Sequence, residues 1–170
     1  MTTELDRNQI LVSTAWLAEN LEAPGIRIID CRFYFDRDGR EEYNKGHIPG
    51  ALHVDHSKQL TDPNHEVDSM IPPPEQVEAV MQSLGISNDT TIIGYDDEGG
   101  HFASRIWLIL ARYGAESQLK IVDGGWTKWV QEGHPVTTDV PDVAPGTFSL
   151  AGRNPNPEVV PTRWHCPPES

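Results

Sequence analysis

The feature that most constrains the fold is the alternation of short β-branched segments with segments of helical length. We predict strands over residues 26–29, 51–55, 91–95 and 119–122, from apolar runs rich in Ile, Val and Thr. We predict helices over residues 12–21, 74–84, 102–113 and 126–131. Strands separated by helices of about ten residues are typical of right-handed βαβ units. The sequence therefore predicts an α/β domain with a parallel sheet.

Composition excludes several classes of function. The chain has 170 residues, the length of one domain, and a formal net charge of −13 from 13 Lys and Arg against 26 Asp and Glu. That balance argues against binding to nucleic acids and to anionic membrane surfaces, which need clustered cations. No apolar run reaches the roughly 18 residues of a membrane span. The first residues do not resemble a targeting peptide, and two cysteines do not make a disulfide framework. We expect a cytoplasmic protein.

The carboxyl-terminal part of the sequence differs from the rest. Residues 141–170 are rich in proline and show no apolar periodicity. We therefore predict a domain over residues 1–143, followed by a proline-rich linker or tail over residues 144–170.

A loop between a predicted strand and a predicted helix is the best candidate for a functional site. It comprises Asp96, Asp97, Glu98, Gly99, Gly100 and His101. Sites in parallel sheets lie at the carboxyl ends of the strands, next to helix amino termini. Two adjacent glycines allow positive φ angles, so successive backbone N–H groups can converge on an anion or a thiolate. The alternative is an ordinary turn that uses glycine for its conformation.

Several motifs occur together and in a defined order. They are Arg40–Tyr43 (REEY), Gly46–Ala51 (GHIPGA), Tyr95–Asp96 with Gly99–Gly100, Phe102–Arg105 (FASR) with Trp107, Asp123–Trp126 (DGGW) with Trp129, and Gly133–Pro135 (GHP). With these motifs the chain resembles rhodanese-like domains over about residues 11–150. It is most similar to the N-terminal half of the two-domain thiosulfate and 3-mercaptopyruvate sulfurtransferases.

The resemblance implies a fold and a chemistry. The fold is a three-layer sandwich, with a five-stranded parallel sheet and helices on both faces. In the catalytic half, a cysteine directly after the Tyr-ending strand carries sulfane sulfur as a persulfide. Backbone N–H groups and a helix dipole stabilise that anionic sulfur. The family relays sulfur by nucleophilic catalysis, usually to cyanide or a thiol, and we expect neither a cofactor nor a metal.

The sequence departs from the catalytic pattern at one position. Asp96 stands where the family has its persulfide cysteine, and a carboxylate cannot carry sulfane sulfur. We expect the Asp96 carboxylate to fill the loop itself, and Asp97 and Glu98 to repel anionic substrates. Arg105, the nearest cation in the sequence, is expected to neutralise Asp96 or Asp97.

These features lead to two hypotheses for function. In the first, the chain is the non-catalytic half of a thiosulfate-type sulfurtransferase and is inactive by itself. Its partner is then a catalytic rhodanese domain, in the same chain or in another, which packs on an apolar patch at the carboxyl edge of the sheet. The alternative is a stand-alone, inactive rhodanese module that binds a protein partner. The mercaptopyruvate enzymes place an Asp and a His at the positions of Ser57 and Ser69, so thiosulfate is the favoured donor.

Other reactive residues have simpler interpretations. Cys31 is predicted to be a buried core residue. Cys166 adjoins His165 and is the one other thiol that could react. His47 is predicted to fix a turn, and Asp30 with Arg32 to form a structural ion pair. Four further polar residues do not have the geometry of a metal site on a strand: His53, Asp55, His56 and His65. Trp107, Trp126 and Trp129 are predicted to lie in the core.

Overall fold

The computed structural model describes residues 6–155. Within these residues, five parallel strands form one sheet in the order β1-β5-β4-β2-β3. The strands are β1 (Leu11–Val12), β2 (Ile26–Asp30), β3 (Leu52–His53), β4 (Thr91–Tyr95) and β5 (Leu119–Val122). The order places β4 in the middle of the sheet, where it pairs with β2 and β5. The predicted five-stranded parallel sheet is confirmed.

Residues 6–155 contain seven α-helices. They are α1 (Arg7–Ile10), α2 (Thr14–Glu19), α3 (Gly39–Lys45), α4 (His56–Gln59), α5 (Pro74–Ser83), α6 (His101–Arg112) and α7 (Gly125–Gln131). A 3-10 turn over Glu116–Gln118 leads into β5. Within residues 6–155, no helix combines the length and the apolar character that a membrane span requires.

Helices cover both faces of the sheet. Consecutive residues of a strand point to opposite faces, and the core follows this alternation. Ile92 packs with residues of α5 and α6 on one face. Ile93 packs on the other face with Tyr43 of α3 and Trp129 of α7. The two apolar layers make the three-layer sandwich that the resemblance implied.

Two predicted elements differ from the structure by more than one residue at an end. The helix predicted over residues 12–21 begins only at Thr14, because the Ser13 hydroxyl caps it by accepting a hydrogen bond from the Trp16 N–H. Val12 belongs to the edge strand β1, which pairs with β5. The strand predicted over residues 51–55 is paired only at Leu52–His53, beside the end of β2.

Helix α3 was absent from our sequence prediction. Its segment is polar, and only Gly39 and Tyr43 of the helix are buried. It therefore lacks the apolar periodicity on which helix prediction depends. Asp38 supplied a start signal, since its carboxylate accepts a hydrogen bond from the Arg40 N–H at 2.7 Å.

Part of the predicted tail lies against the domain. Phe148 is completely buried, and its N–H donates to the Ile86 carbonyl at 3.1 Å. Leu150 belongs to the same apolar cluster, on the face covered by α5 and α6. Residues through Leu150 thus contribute to the core.

Candidate functional site

The candidate loop follows the last residue of β4 and leads into α6. Gly99 and Gly100 have φ angles of 67° and 89°, in the left-handed region that glycine favours. This conformation turns the backbone so that N–H groups from the loop and from the first turn of α6 converge. The loop lies at the carboxyl edge of the sheet, as the sequence predicted.

The side chain of Asp96 fills the space toward which these N–H groups point. Oδ1 accepts hydrogen bonds from the N–H of Glu98 at 2.9 Å and of Gly100 at 2.8 Å. Oδ2 accepts from the N–H of Phe102 at 2.8 Å and of Ala103 at 2.9 Å. Asp96 is only 1% exposed. Four N–H donors and the positive end of α6 therefore surround one buried carboxylate, which is a strong arrangement of charge-assisted hydrogen bonds.

The start of α7 packs directly on this loop. The Trp126 N–H donates to the Asp96 carbonyl at 2.8 Å. Gly125 has a φ of 56°, and a Cβ at that position would overlap the Asp96 carbonyl oxygen. Gly125 of the DGGW motif therefore allows close contact between α7 and the loop. The start of α7 thus fixes the backbone of Asp96, and the N–H groups of the loop and of α6 fix its carboxylate.

A buried ion pair supports the loop from β2. Arg32 and Asp30 are 3% and 0% exposed, and Arg32 Nη2 lies 2.7 Å from Asp30 Oδ2. The Tyr95 hydroxyl donates to the same carboxylate at 2.7 Å, and Arg32 also donates to the Gly46 carbonyl at 2.7 Å. The Arg32 guanidinium lies over the Trp126 ring, 4.3 Å from its centroid. The predicted Asp30–Arg32 pair is present, and it links β2 to β4 and to the GHIPGA turn.

A match to a family model fits this geometry. The model of the rhodanese-like domain family matches residues 13–132, which is more than half of the chain. The chain belongs to the rhodanese family. The matched residues include the loop after β4 and helix α6.

Individual relatives show the same relationship. The rhodanese-like chain is 37% identical over 147 residues to the sulfur carrier protein TtuD of Thermus thermophilus, covering 86% of this chain and 48% of that protein. It is 36% identical over 146 residues to the thiosulfate sulfurtransferase of Bos taurus, covering 81% and 48%. The SseA structure from Escherichia coli, described as a 3-mercaptopyruvate sulfotransferase, superposes with a TM-score of 0.77 at 33% identity, covering 87% and 56%. The chain spans about half the length of these relatives.

The other two acids of the rhodanese loop differ in burial, since Asp97 is half-buried and Glu98 is exposed. Asp97 accepts a hydrogen bond from the Tyr34 hydroxyl, and the Arg37 guanidinium lies 3.8 Å from the centroid of the Tyr34 ring. Burial and the Asp97 carboxylate raise the pKa of Tyr34 above its ordinary value. The two acids line a cavity of about 520 Å³ whose walls include Phe33 and Phe35. They leave the carboxyl edge acidic on this side.

The prediction for Arg105 is wrong. Arg105 donates to the carbonyl of Ser69 and forms no ion pair with a carboxylate of the described part of the chain. Asp96 takes all four of its donors from the backbone, so it needs no side-chain cation. Arg105 instead lines a neighbouring cavity, together with Ser57 and Ser69.

The structure does not place Cys31 as a nucleophile. Cys31 is 1% exposed, and burial, followed by the charges of Asp30 and Asp96, raises its pKa well above that of an ordinary thiol. The thiol is therefore protonated at neutral pH and closed to solvent. Cys166 lies outside the described residues.

The histidines have separate environments. His47 contacts the carbonyl oxygens of Tyr43 and Asp139 at 2.8 and 2.7 Å, which fixes the turn as predicted. His53 contacts the Arg32 carbonyl at 3.2 Å, and burial lowers its pKa. His56 lies against the rings of Phe33 and Phe102. Residues 6–155 contain no group of three potential metal ligands.

The tryptophans differ in burial. Trp129 is completely buried and its indole N–H donates to the Pro135 carbonyl at 2.7 Å, whereas Trp107 and Trp126 are only partly buried against the two core clusters. The prediction of core positions is therefore right for Trp129 and only partial for the other two.

Sequence reasoning missed the aromatic residues that surround the loop. Phe33, Tyr34 and Phe35 follow the carboxyl end of β2 and line the acidic cavity with Phe102. Phe35 is 94% exposed. A run of three aromatic residues that begins three positions after a parallel strand was the available signal, because a segment that follows such a strand lies at the carboxyl edge.

Proposed function

We propose that the chain is the non-catalytic half of a rhodanese-type sulfurtransferase, equivalent to the N-terminal half of the two-domain enzymes. The position of the Asp96 carboxylate carries this proposal, because it occupies the N–H groups that a persulfide would need. In thiosulfate chemistry a thiolate attacks the outer sulfur and releases sulfite, and an acceptor then takes the sulfur from the persulfide. A carboxylate cannot perform the first step, so the described loop does not support turnover.

The proposal has three further features. Thiosulfate is the favoured donor of the complete enzyme, because serine occupies both positions 57 and 69. The acidic composition, with only two cysteines, supports a cytoplasmic location. Similarity to about half the length of the relatives supports a catalytic rhodanese domain as the partner.

The test is to incubate the purified chain with thiosulfate and cyanide and to measure thiocyanate. We expect no thiocyanate above the level without protein, and no gain of one sulfur atom by mass spectrometry of the chain. A cysteine-containing rhodanese domain is the positive control. Sulfur found on the wild-type chain would contradict the inactive role, and its loss in Cys166→Ser would then place it on Cys166.

The aromatic group at the carboxyl edge is the proposed contact surface for the catalytic domain. Phe33 and Phe35 stand edge to face, with ring centroids 5.2 Å apart, beside the filled loop. Phe35, at 94% exposure, is the most exposed of the large apolar side chains in residues 6–155. A large apolar ring in water next to a functional loop is typical of an interaction surface.

A pair of substitutions tests this surface. We expect Phe35→Ser to weaken association with a cysteine-containing rhodanese domain about tenfold or more, since buried aromatic anchors dominate interface energies. Val67→Ser, at a side chain that is 57% exposed in a polar loop, is the matched control and leaves association unchanged. Titration calorimetry measures both. Equal affinities for the two variants would exclude this surface.

A further inference from the structure

A groove at the amino edge of the sheet lies apart from the candidate site. It has a volume of about 540 Å³, and Ile26, Thr91 and Lys120 are among the residues that line it. Ile26 and Thr91 are the first residues of β2 and β4, and Lys120 is the second residue of β5. Because the strands are parallel, this amino-edge groove lies at the opposite end of the sheet from Asp96, which follows the last residue of β4.

The walls of the amino-edge groove are mainly apolar. Leu11 and Val12 of β1, Trp16 of α2 and Ile26 of β2 line it. Trp16 is 37% exposed, and within residues 6–155 no aromatic or cationic side chain stacks on its ring. Pairs of aromatic rings are stabilised beyond the area that they bury. An uncovered indole ring beside aliphatic side chains therefore suits an aromatic ligand.

Lys120 is the one lysine whose charge has no counter-ion among the described residues. Its Nζ donates to the Gln9 carbonyl, a neutral acceptor, at 2.7 Å. The other three lysines each pair with a carboxylate, at 2.6, 3.2 and 3.8 Å for Lys45, Lys58 and Lys128. An ammonium group has three N–H donors, so two remain after the contact with Gln9. The lining contains no carboxylate, and its charge therefore favours an anion.

Two neutral polar side chains line the groove together with Lys120. They are the Thr91 hydroxyl and the Asn8 amide, and neither has a hydrogen-bond partner within residues 6–155. Asp6, an acid close to Asn8 in the sequence, caps α1 by accepting a hydrogen bond from the Asn8 N–H at 3.0 Å. The groove thus offers one cation and two further donors on an apolar wall, the usual composition of a small-molecule site.

We infer that the amino-edge groove binds a small aromatic carboxylate, whose ring lies against Trp16 and Ile26 and whose anionic group pairs with Lys120. One uncompensated positive charge matches a monoanion, whereas a phosphate dianion would leave excess negative charge in the groove. The volume lies within the range of small-molecule sites, about 300–1,000 Å³. An anion without an apolar part would make no use of the apolar walls. The inference stands independently of the proposed function, since the groove and the candidate site are at opposite edges.

The test is an NMR titration of the ¹⁵N-labelled chain with three probes at matched ionic strength. 2-Naphthoate has a ring and a charge, 2-naphthamide has the same ring without the charge, and acetate has the charge without the ring. We expect saturable shifts of the Val12 and Thr91 amides and of the Trp16 indole N–H with 2-naphthoate. 2-Naphthamide should bind about tenfold more weakly, because it lacks the charge that strengthens a hydrogen bond to Lys120. Acetate should not saturate over the same range.

Three variants assign the binding to the groove. Lys120→Gln is expected to weaken 2-naphthoate binding about tenfold or more and to leave 2-naphthamide binding nearly unchanged. Lys45→Gln, which removes the same charge from the last turn of α3, is the control and should affect neither probe. Trp16→Ala should weaken both naphthyl probes, because both use the indole ring.

Several outcomes would overturn the inference. They are absence of saturation by 2-naphthoate, equal affinities for the acid and the amide, and an equal loss in Lys120→Gln and Lys45→Gln. Shifts confined to the carboxyl edge, around Asp97 and His101, would also overturn it. If Lys120→Gln does not fold, the comparison of the two naphthyl probes on the wild-type chain still decides. Sulfur transfer is not measured in this experiment, so its outcome is separate from that of the proposed function.

Discussion

At the scale of single residues, the carboxylate of Asp96 stands where an open loop of this kind would hold a bound anion. Its two oxygens each accept two backbone N–H groups, and its exposure is 1%. Such a side chain has a structural effect that can be separated from its chemistry. Truncation of Asp96 leaves four N–H donors without partners and tests its effect on stability. Replacement of its carboxylate by a thiol tests whether the loop can catalyse sulfur transfer.

Replacing Asp96 with alanine should destabilise the domain strongly. Buried donors that lose their acceptor each cost about 1–3 kcal/mol, so we expect Asp96→Ala to lower the free energy of unfolding by at least about 3 kcal/mol. Asp96→Asn, which keeps one acceptor oxygen, should lie between this variant and the wild type. Urea unfolding measures all three. Glu98→Gln, at an exposed position of the same loop, is the control and should change stability by less than about 0.5 kcal/mol.

Supplying the missing sulfur should not restore catalysis. In Asp96→Cys the thiol would have the N–H groups, but Asp97 and Glu98 would still place negative charge beside an anionic donor. We therefore expect thiocyanate formation from thiosulfate and cyanide to remain near background. The triple variant that also carries Asp97→Asn and Glu98→Gln separates charge from geometry. Turnover by Asp96→Cys alone, at the rate of a catalytic rhodanese domain, would refute this explanation.

At the scale of elements, the sequence predicted the buried core strands better than the polar helices. β4 and β5 have the predicted limits, because apolar β-branched runs bounded by turn residues allow little choice. α3 was missed, since a helix that buries only Gly39 and Tyr43 leaves no apolar stripe in the sequence. The Asp30–Arg32 pair was predicted from adjacency in the chain. Its contacts with Tyr95 and Gly46 depend on which strands are neighbours, and our sequence analysis did not derive that order.

Breaking this ion pair should show how much it holds the elements together. Among residues 6–155, Arg32→Ala leaves the completely buried Asp30 carboxylate with two donors, the Tyr95 hydroxyl and the backbone N–H of residue 32. We expect a loss of about 3–5 kcal/mol in the free energy of unfolding, as for other buried pairs that lose one partner. The exposed pair between Arg7 and Asp123, at 71% and 47% exposure, provides the comparison. Arg7→Ala should cost less than about 1 kcal/mol by the same measurement.

At the scale of the whole molecule, the candidate site lies at the carboxyl edge of the sheet and is formed by several elements. The loop after β4, the aromatic run after β2 and the start of α6 meet there. Sequence analysis located the loop, because its glycines and acids are contiguous. It did not locate the cavity around Arg105, since Ser69, His56 and Arg105 come from three separate segments that only the fold brings together. The predicted boundary at residue 143 remains a prediction, although the chain continues into the core as far as Leu150.

The contribution of the segment after residue 143 can be measured at Phe148. This ring is completely buried in the cluster formed with α5 and α6. We expect Phe148→Ala to cost about 3–5 kcal/mol, the usual range for a large aromatic side chain in a core. Val140→Ala, at a side chain that is 55% exposed, should be nearly neutral. Thermal unfolding followed by circular dichroism compares the two. A small effect of Phe148→Ala would mean that the segment packs only loosely.

Because of the Asp96 carboxylate, the conformation of the loop should not depend on which anions the solvent contains. A turn that binds phosphate or sulfate becomes more or less ordered as the buffer changes, because its anion binds and dissociates. Here the negative group is attached covalently to the chain, so dilution and dialysis cannot remove it. The same backbone conformation should therefore be found in low salt, in concentrated sulfate and in anion-free polymer solutions.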